Sequence, residues 1–112
     1  MTDEIKVIIK EPGEPVGHED VIRNELSAFQ DVVGGMIEPV PIAEGSDRIL
    51  LVCNEEGKLL PDLEPNIYAD VYGHIDLIFG TIMVCGDYRD DFADCPIDLK
   101  AWEQCFLKKW GN

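Results

Sequence analysis

Apolar residues in this chain come in short unbroken runs, separated by charged, proline-bearing and glycine-bearing breaks. The run that organises the rest is Ile49-Leu50-Leu51-Val52-Cys53, entered from Arg48 and left through Asn54-Glu55-Glu56-Gly57-Lys58-Leu59-Leu60. Apolar residues in succession, without polar alternation, mark a strand covered on both faces, and Gly57 predicts a tight turn at positive φ into a short hairpin strand. Before it, the β-branched run at 5–10 predicts a first strand, broken by Glu11-Pro12-Gly13-Glu14-Pro15. Residues 16–22 predict a short second strand. Asn24 is placed as the N-cap of a helix whose stripe of Leu26, Phe29, Val32 and Val33 stops at Gly34-Gly35. Residues 36–42 are extended, and Pro39 and Pro41 withdraw two backbone donors, which assigns them to a sheet edge.

Residues 43–47 read as the turn into the central strand. Past the hairpin, 61–66 cannot continue a ladder, and 67–72 suffices only for a helical turn. The most apolar segment, 75–85, predicts one strand crossing the whole sheet, with Gly80 at a bulge or a close backbone approach. Residues 86–95 read as an acidic loop. From 97 the period turns helical, with Leu99, Trp102, Phe106 and Trp110 in one stripe, Asp98 near the first turn, Lys108 and Lys109 in the last, and Gly111 as the stop. These elements predict one α+β domain over residues 1–112, a mainly antiparallel sheet with two helices packed on it. Leu51, Val52, Ile78, Phe79, Phe29, Trp102 and Phe106 are expected to be buried together.

The 112 residues are 46% hydrophobic, enough for a single core. Charge adds a functional constraint: 23 acidic against 9 basic residues give a net charge of −14. Such a chain repels nucleic acid and anionic membranes, so direct binding to either is not expected, whereas a protein partner with a basic surface is favoured. The N-terminus is acidic where a secretion signal needs positive charge, and no apolar run approaches about 18 residues, so a cytoplasmic location is expected. Cys53, Cys85, Cys95 and Cys105 form no C-x-x-C pair and match no zinc spacing with His18 and His74; free thiols and no metal or cofactor are expected. None of the common catalytic motifs occurs, and neither histidine has a nucleophile or carboxylate at a recognisable spacing, so the chain does not read as an enzyme.

Val33-Gly34-Gly35-Met36-Ile37-Glu38, then Leu51 through Leu59, Pro65-Asn66 and Ile78-Phe79-Gly80-Thr81 together resemble domain-of-unknown-function family 3846. That is an uncharacterised family of small proteins found mostly in bacteriophages, plasmids and conjugative elements of bacteria. The resemblance covers about residues 5–107 and implies a small α+β domain from a mobile element, working in a bacterial host cell, with no activity to carry over. Asn54 and Asn66 recur in its motifs, as ligand residues or as turn residues that satisfy backbone groups.

The densest chemistry is Asp87, Asp90, Asp91, Asp94 and Asp98, offset only by Arg89. The order of a calcium loop is absent. On a helix these carboxylates would line one side and occupy positions that DNA phosphates take, and Glu55 and Glu56 would extend the surface if the fold brought them near. Two functions follow. One is a non-catalytic acidic protein that binds a basic host protein, as a DNA mimic or anti-defence inhibitor. The other is an accessory module that binds a small molecule, or a homodimer formed through the edge near Pro39 and Pro41.

Overall fold

A computed structural model describes residues 3–43 and 48–112; except for Ala43, the turn expected at 43–47 lies outside the described residues. Strands β1 (Glu4–Lys10) and β2 (His18–Arg23) are followed by helix α1 (Leu26–Val33), then by β3 (Ile37–Ala43) and β4 (Arg48–Asn54). A second set comprises β5 (Pro65–Val71), β6 (His74–Phe79), β7 (Ile82–Tyr88) and β8 (Asp91–Ala93), and the chain closes with α2 (Leu99–Trp102), which widens into a π-turn over Glu103–Leu107. One sheet runs in the order β2-β1-β7-β4-β3, with β8 also on β7, while β5 and β6 pair only with each other. Every pairing is antiparallel. The chain is thus an α+β domain built mainly on an antiparallel sheet.

The unbroken apolar runs are explained by three layers. On one face, α1 sets Phe29 and Val33 against Ile5, Val7, Ile9, Leu50, Val52, Met83 and Cys85. On the other, the β5–β6 hairpin and the C-terminal helix bring Ile67, Ala69, Ile78, Trp102 and Leu107 onto Ile8, Val40, Leu51, Ile82 and Val84. Neighbouring residues of β4 therefore point into opposite cores, and a polar residue at either parity would be buried. The seven residues expected in one core are divided accordingly: Val52 and Phe29 lie on the α1 face, Leu51, Ile78 and Trp102 on the other, and Phe79 and Phe106 are only half-buried.

Several local expectations hold. Glu11 to Glu14 closes a turn with Gly13 at φ +93°, the positive φ that a type II turn needs after Pro12. Gly34 ends α1 in the left-handed region at φ 80°, its N–H bonded to Gln30 O. β3 is an edge strand, with a bulge at Ile42 beside its prolines. Asp98 Oδ1 caps α2 by accepting from Ala101 N at 2.8 Å.

Others are corrected. Gly57 starts a 3-10 turn over Gly57–Leu59, is not among the glycines at positive φ, and leads into no hairpin strand. It is needed for space, since a Cβ there would lie 3.1 Å from the Phe79 carbonyl oxygen. The N-cap of α1 is Glu25 without a side-chain cap, and Asn24 Nδ2 instead donates to Phe92 O at 3.3 Å. Pro65 and Asn66 do enter a ladder and residues 67–72 are not a helical turn, for 65–71 form β5. The run 75–85 is two strands in two sheets, because Gly80, at φ +84°, turns the chain between β6 and β7.

Candidate functional site

The segment expected to be an acidic loop continues β7 and reverses into β8. Tyr88 pairs with Asp91, so Arg89 and Asp90 form a two-residue turn, and both have positive φ, 52° and 67°, as a type I′ hairpin requires. A side chain costs energy in that region, least for Asp and Asn, and so Asp90 suits its position better than Arg89 does. The hairpin is anchored at its base. Cys95 N donates to Lys6 O at 2.7 Å, and Gly86 lets the Asp94 carbonyl approach β7, where a Cβ would collide with it.

This strand-turn-strand geometry means that the five aspartates do not line one side of a helix. Asp87 Oδ2 accepts from Arg48 Nη1 at 2.6 Å, with its side chain only 9% exposed. Asp94 Oδ1 accepts from Lys6 N at 2.8 Å, and Asp98 caps α2. Asp90 and Asp91 stand exposed at the tip, beside Tyr88, over whose ring the Arg89 guanidinium lies at 5.2 Å.

Glu55 and Glu56 follow the far end of β4, seven residues from the Arg48–Asp87 pair, or about 20 Å along a strand. They do not extend the hairpin surface. They rim a cleft of about 190 Å³ with Glu38, Cys53, Lys58 and Asp76. Lys58 Nζ donates to Asp76 Oδ1 at 2.5 Å, which holds that carboxyl below its ordinary value. Burial, with Glu38 close by, pushes the Cys53 thiol up to about 12.

Asn54 and Asn66 both satisfy backbone. Asn54 is buried, donating to Val33 O at 3.2 Å and accepting from Glu56 N at 2.8 Å. Asn66 occupies a bulge in β5 and donates to Lys10 O and Gly80 O at 2.8 and 2.9 Å, while its Oδ1 accepts from the buried Lys10 Nζ at 2.7 Å. His18 Nδ1 lies 3.0 Å from Glu14 Oε2, and His74 is exposed. Among the described residues no three or more His, Cys, Asp or Glu side chains are grouped to hold a metal, and no helix is long and apolar enough to cross a membrane. The four cysteines are free.

A further concavity was not anticipated from the sequence. Pro41, Ile42 and Ala43 of β3, Tyr72 and Ile75 at the β5–β6 tip, and Phe106 and Trp110 of the C-terminal segment line an open groove of about 680 Å³. Its aromatic wall, Phe106 and Trp110, follows from the helical stripe and is backed by buried Trp102, the three ring centroids lying 5.5–6.0 Å apart. Tyr72-Gly73, both at positive φ between paired Val71 and His74, is a second type I′ turn, and that dipeptide was the one local signal for the hairpin that carries the groove.

Among comparisons with known proteins, the model of a family described as a domain of unknown function, DUF3846, matches residues 5–107. The comparisons with curated proteins and with solved structures find no match.

Proposed function

The chain belongs to domain-of-unknown-function family 3846, a premise that supplies no activity, and from its own surface we propose that it is a non-catalytic acidic protein that binds a basic protein partner. The observation that carries this reading is the β7–β8 tip, where Asp90 and Asp91 are held outward on a short anchored turn in a chain of net charge −14. A preorganised pair of exposed carboxylates costs little ordering on binding, and its field steers a basic partner while repelling nucleic acid and anionic membrane. A cytoplasmic host protein in a bacterium is the partner that fits a mobile-element protein, and mimicry of DNA phosphates is the mode that fits the charge. Self-association by strand addition along β3 ranks second, since Pro39 and Pro41 leave two gaps in its row of donors and a second copy also carries −14.

Capture from bacterial lysate, with elution by salt, tests the proposal. The expected outcome is a basic protein released as ionic strength rises and held at least about tenfold less tightly by the Asp90→Asn/Asp91→Asn variant. Asn tolerates the positive φ at position 90, so the fold is retained. Equal retention of the two forms at physiological salt refutes the acidic-tip mechanism.

A further inference from the structure

We infer that the acidic tip and the aromatic groove form one docking surface, and that its occupant is a basic protein segment that inserts a single apolar or aromatic side chain. This rests on the acidic-surface reading and adds where the partner sits and what it must carry. The continuity is geometric: Pro41 and Tyr72 line both the groove and an adjoining cleft of about 230 Å³, whose other walls include Arg48, Leu50, Asp87 and Asp90. The tips of two hairpins therefore meet on one surface, apolar at the Ile75 and Trp110 end and acidic at the Asp90 end.

Tyr72 is 72% exposed and Ile75 57%, so apolar area stands open beside the carboxylates. Charge selects the occupant. Among the described residues lining the two concavities, the carboxylates are Asp70, Asp87 and Asp90 and the cations Arg48 and Lys109; Arg48 is bonded to Asp87, and exposed Asp91 follows Asp90 in the chain. A second copy of the chain, or a nucleic acid, would meet this surface with like charge, whereas lysines and arginines flanking an apolar anchor complement both ends. An aromatic-lined recess beside charge is also where interface energy concentrates, in one deeply inserted side chain.

Two synthetic peptides test this on the full chain: one with a single tryptophan among lysines and arginines, the other with serine in its place. Exposed Cys105 lines the groove and reports on it through its rate of alkylation by iodoacetamide. The tryptophan peptide is expected to bind about tenfold tighter than the serine peptide and to slow Cys105 alkylation several-fold. Ile75→Asp and Tyr72→Asn, checked for unchanged melting, should each remove that advantage, and Asp90→Asn/Asp91→Asn should weaken both peptides. If the two peptides bind equally and Cys105 reacts at its free rate, the groove is not the seat, although the acidic-surface reading survives. If the tryptophan peptide binds the Asp90→Asn/Asp91→Asn form undiminished, the basic character of the occupant is refuted. If neither peptide binds at low salt, both readings fall.

Discussion

Lys10 and Asn66 hold each other twice: Lys10 Nζ donates to Asn66 Oδ1 at 2.7 Å, and Asn66 Nδ2 donates to the Lys10 carbonyl at 2.8 Å. The residues are 56 positions apart and join the end of β1 to the bulge of β5. Through them the separate β5–β6 sheet is fastened to the main sheet. Burial lowers the Lys10 pKa against the pull of Glu14, and Asn66 Oδ1 gives the partly desolvated ammonium a hydrogen-bond acceptor.

Asn66→Ala should therefore destabilise the fold by about 2 to 3 kcal/mol, the cost of leaving buried polar groups unpaired. Adding Lys10→Met should recover part of the loss, because the stranded charge is removed with its stem volume kept. Urea denaturation of both variants checks this. A loss under about 1 kcal/mol in Asn66→Ala would show that the pair is not a structural clamp.

A pH dependence follows from His18 and Glu14. The hydrogen bond to Glu14 raises the His18 pKa against a smaller desolvation effect. Burial pushes the Glu14 carboxyl up, but the Glu11 N–H and His18 outweigh it and hold the carboxyl below its ordinary value. Stability from the raised His18 is fully present below the unfolded histidine pKa of about 6.5 and disappears as pH rises through the higher folded value. Stability from Glu14 is lost as pH falls through its depressed value, so the pair stabilises most in mildly acidic solution. Melting curves of the parent should fall toward those of His18→Gln between about pH 6 and pH 8, and parallel curves would exclude the pair as the cause.

In the C-terminal core the weight lies on Trp102. It is fully buried, and its Nε1 donates to Val16 O at 2.9 Å. Trp102→Ala should cost about 3 to 5 kcal/mol, while half-buried Phe106→Ala should cost clearly less, about 1 to 2 kcal/mol. Trp102→Phe isolates the lost hydrogen bond, at about 1 kcal/mol beyond the change in packing. Denaturant midpoints in the reverse order for Trp102 and Phe106 would contradict this docking.

The hairpin tip should be improvable. Arg89→Asn with Asp90→Gly installs the Asn-Gly pair that type I′ turns favour, removes one positive and one negative charge, and leaves net charge at −14. Relief of the side chains at positive φ should raise stability by about 1 kcal/mol. The same variant should bind a basic partner less well, since it loses Asp90. A gain in melting temperature with undiminished binding would remove Asp90 from the interface.

Much of the architecture was written in local pattern. The two-sided burial of β4 follows from its unbroken apolar run, the stop of α1 from Gly34, the edge position of β3 from Pro39 and Pro41, and the aromatic wall from a helical stripe, because each depends on backbone conformation or side-chain period within a few residues. Tertiary structure decided the rest. An apolar run reads alike whether it fills one sheet or two, so the division of 75–85 at Gly80 came only with the packing of β6 over the main sheet. Which carboxylates are free was equally non-local. Asp87 is taken up by Arg48, 39 positions away, and Asp94 by the Lys6 N–H, 88 positions away, and with Asp98 capping α2 the cluster of five leaves Asp90 and Asp91 as the exposed pair not engaged in holding the fold. Composition alone determined the total charge of the chain. Where that charge faces a partner, and that Tyr72 and Asp90 share one cleft, depended on contacts between distant segments, which no local period encodes.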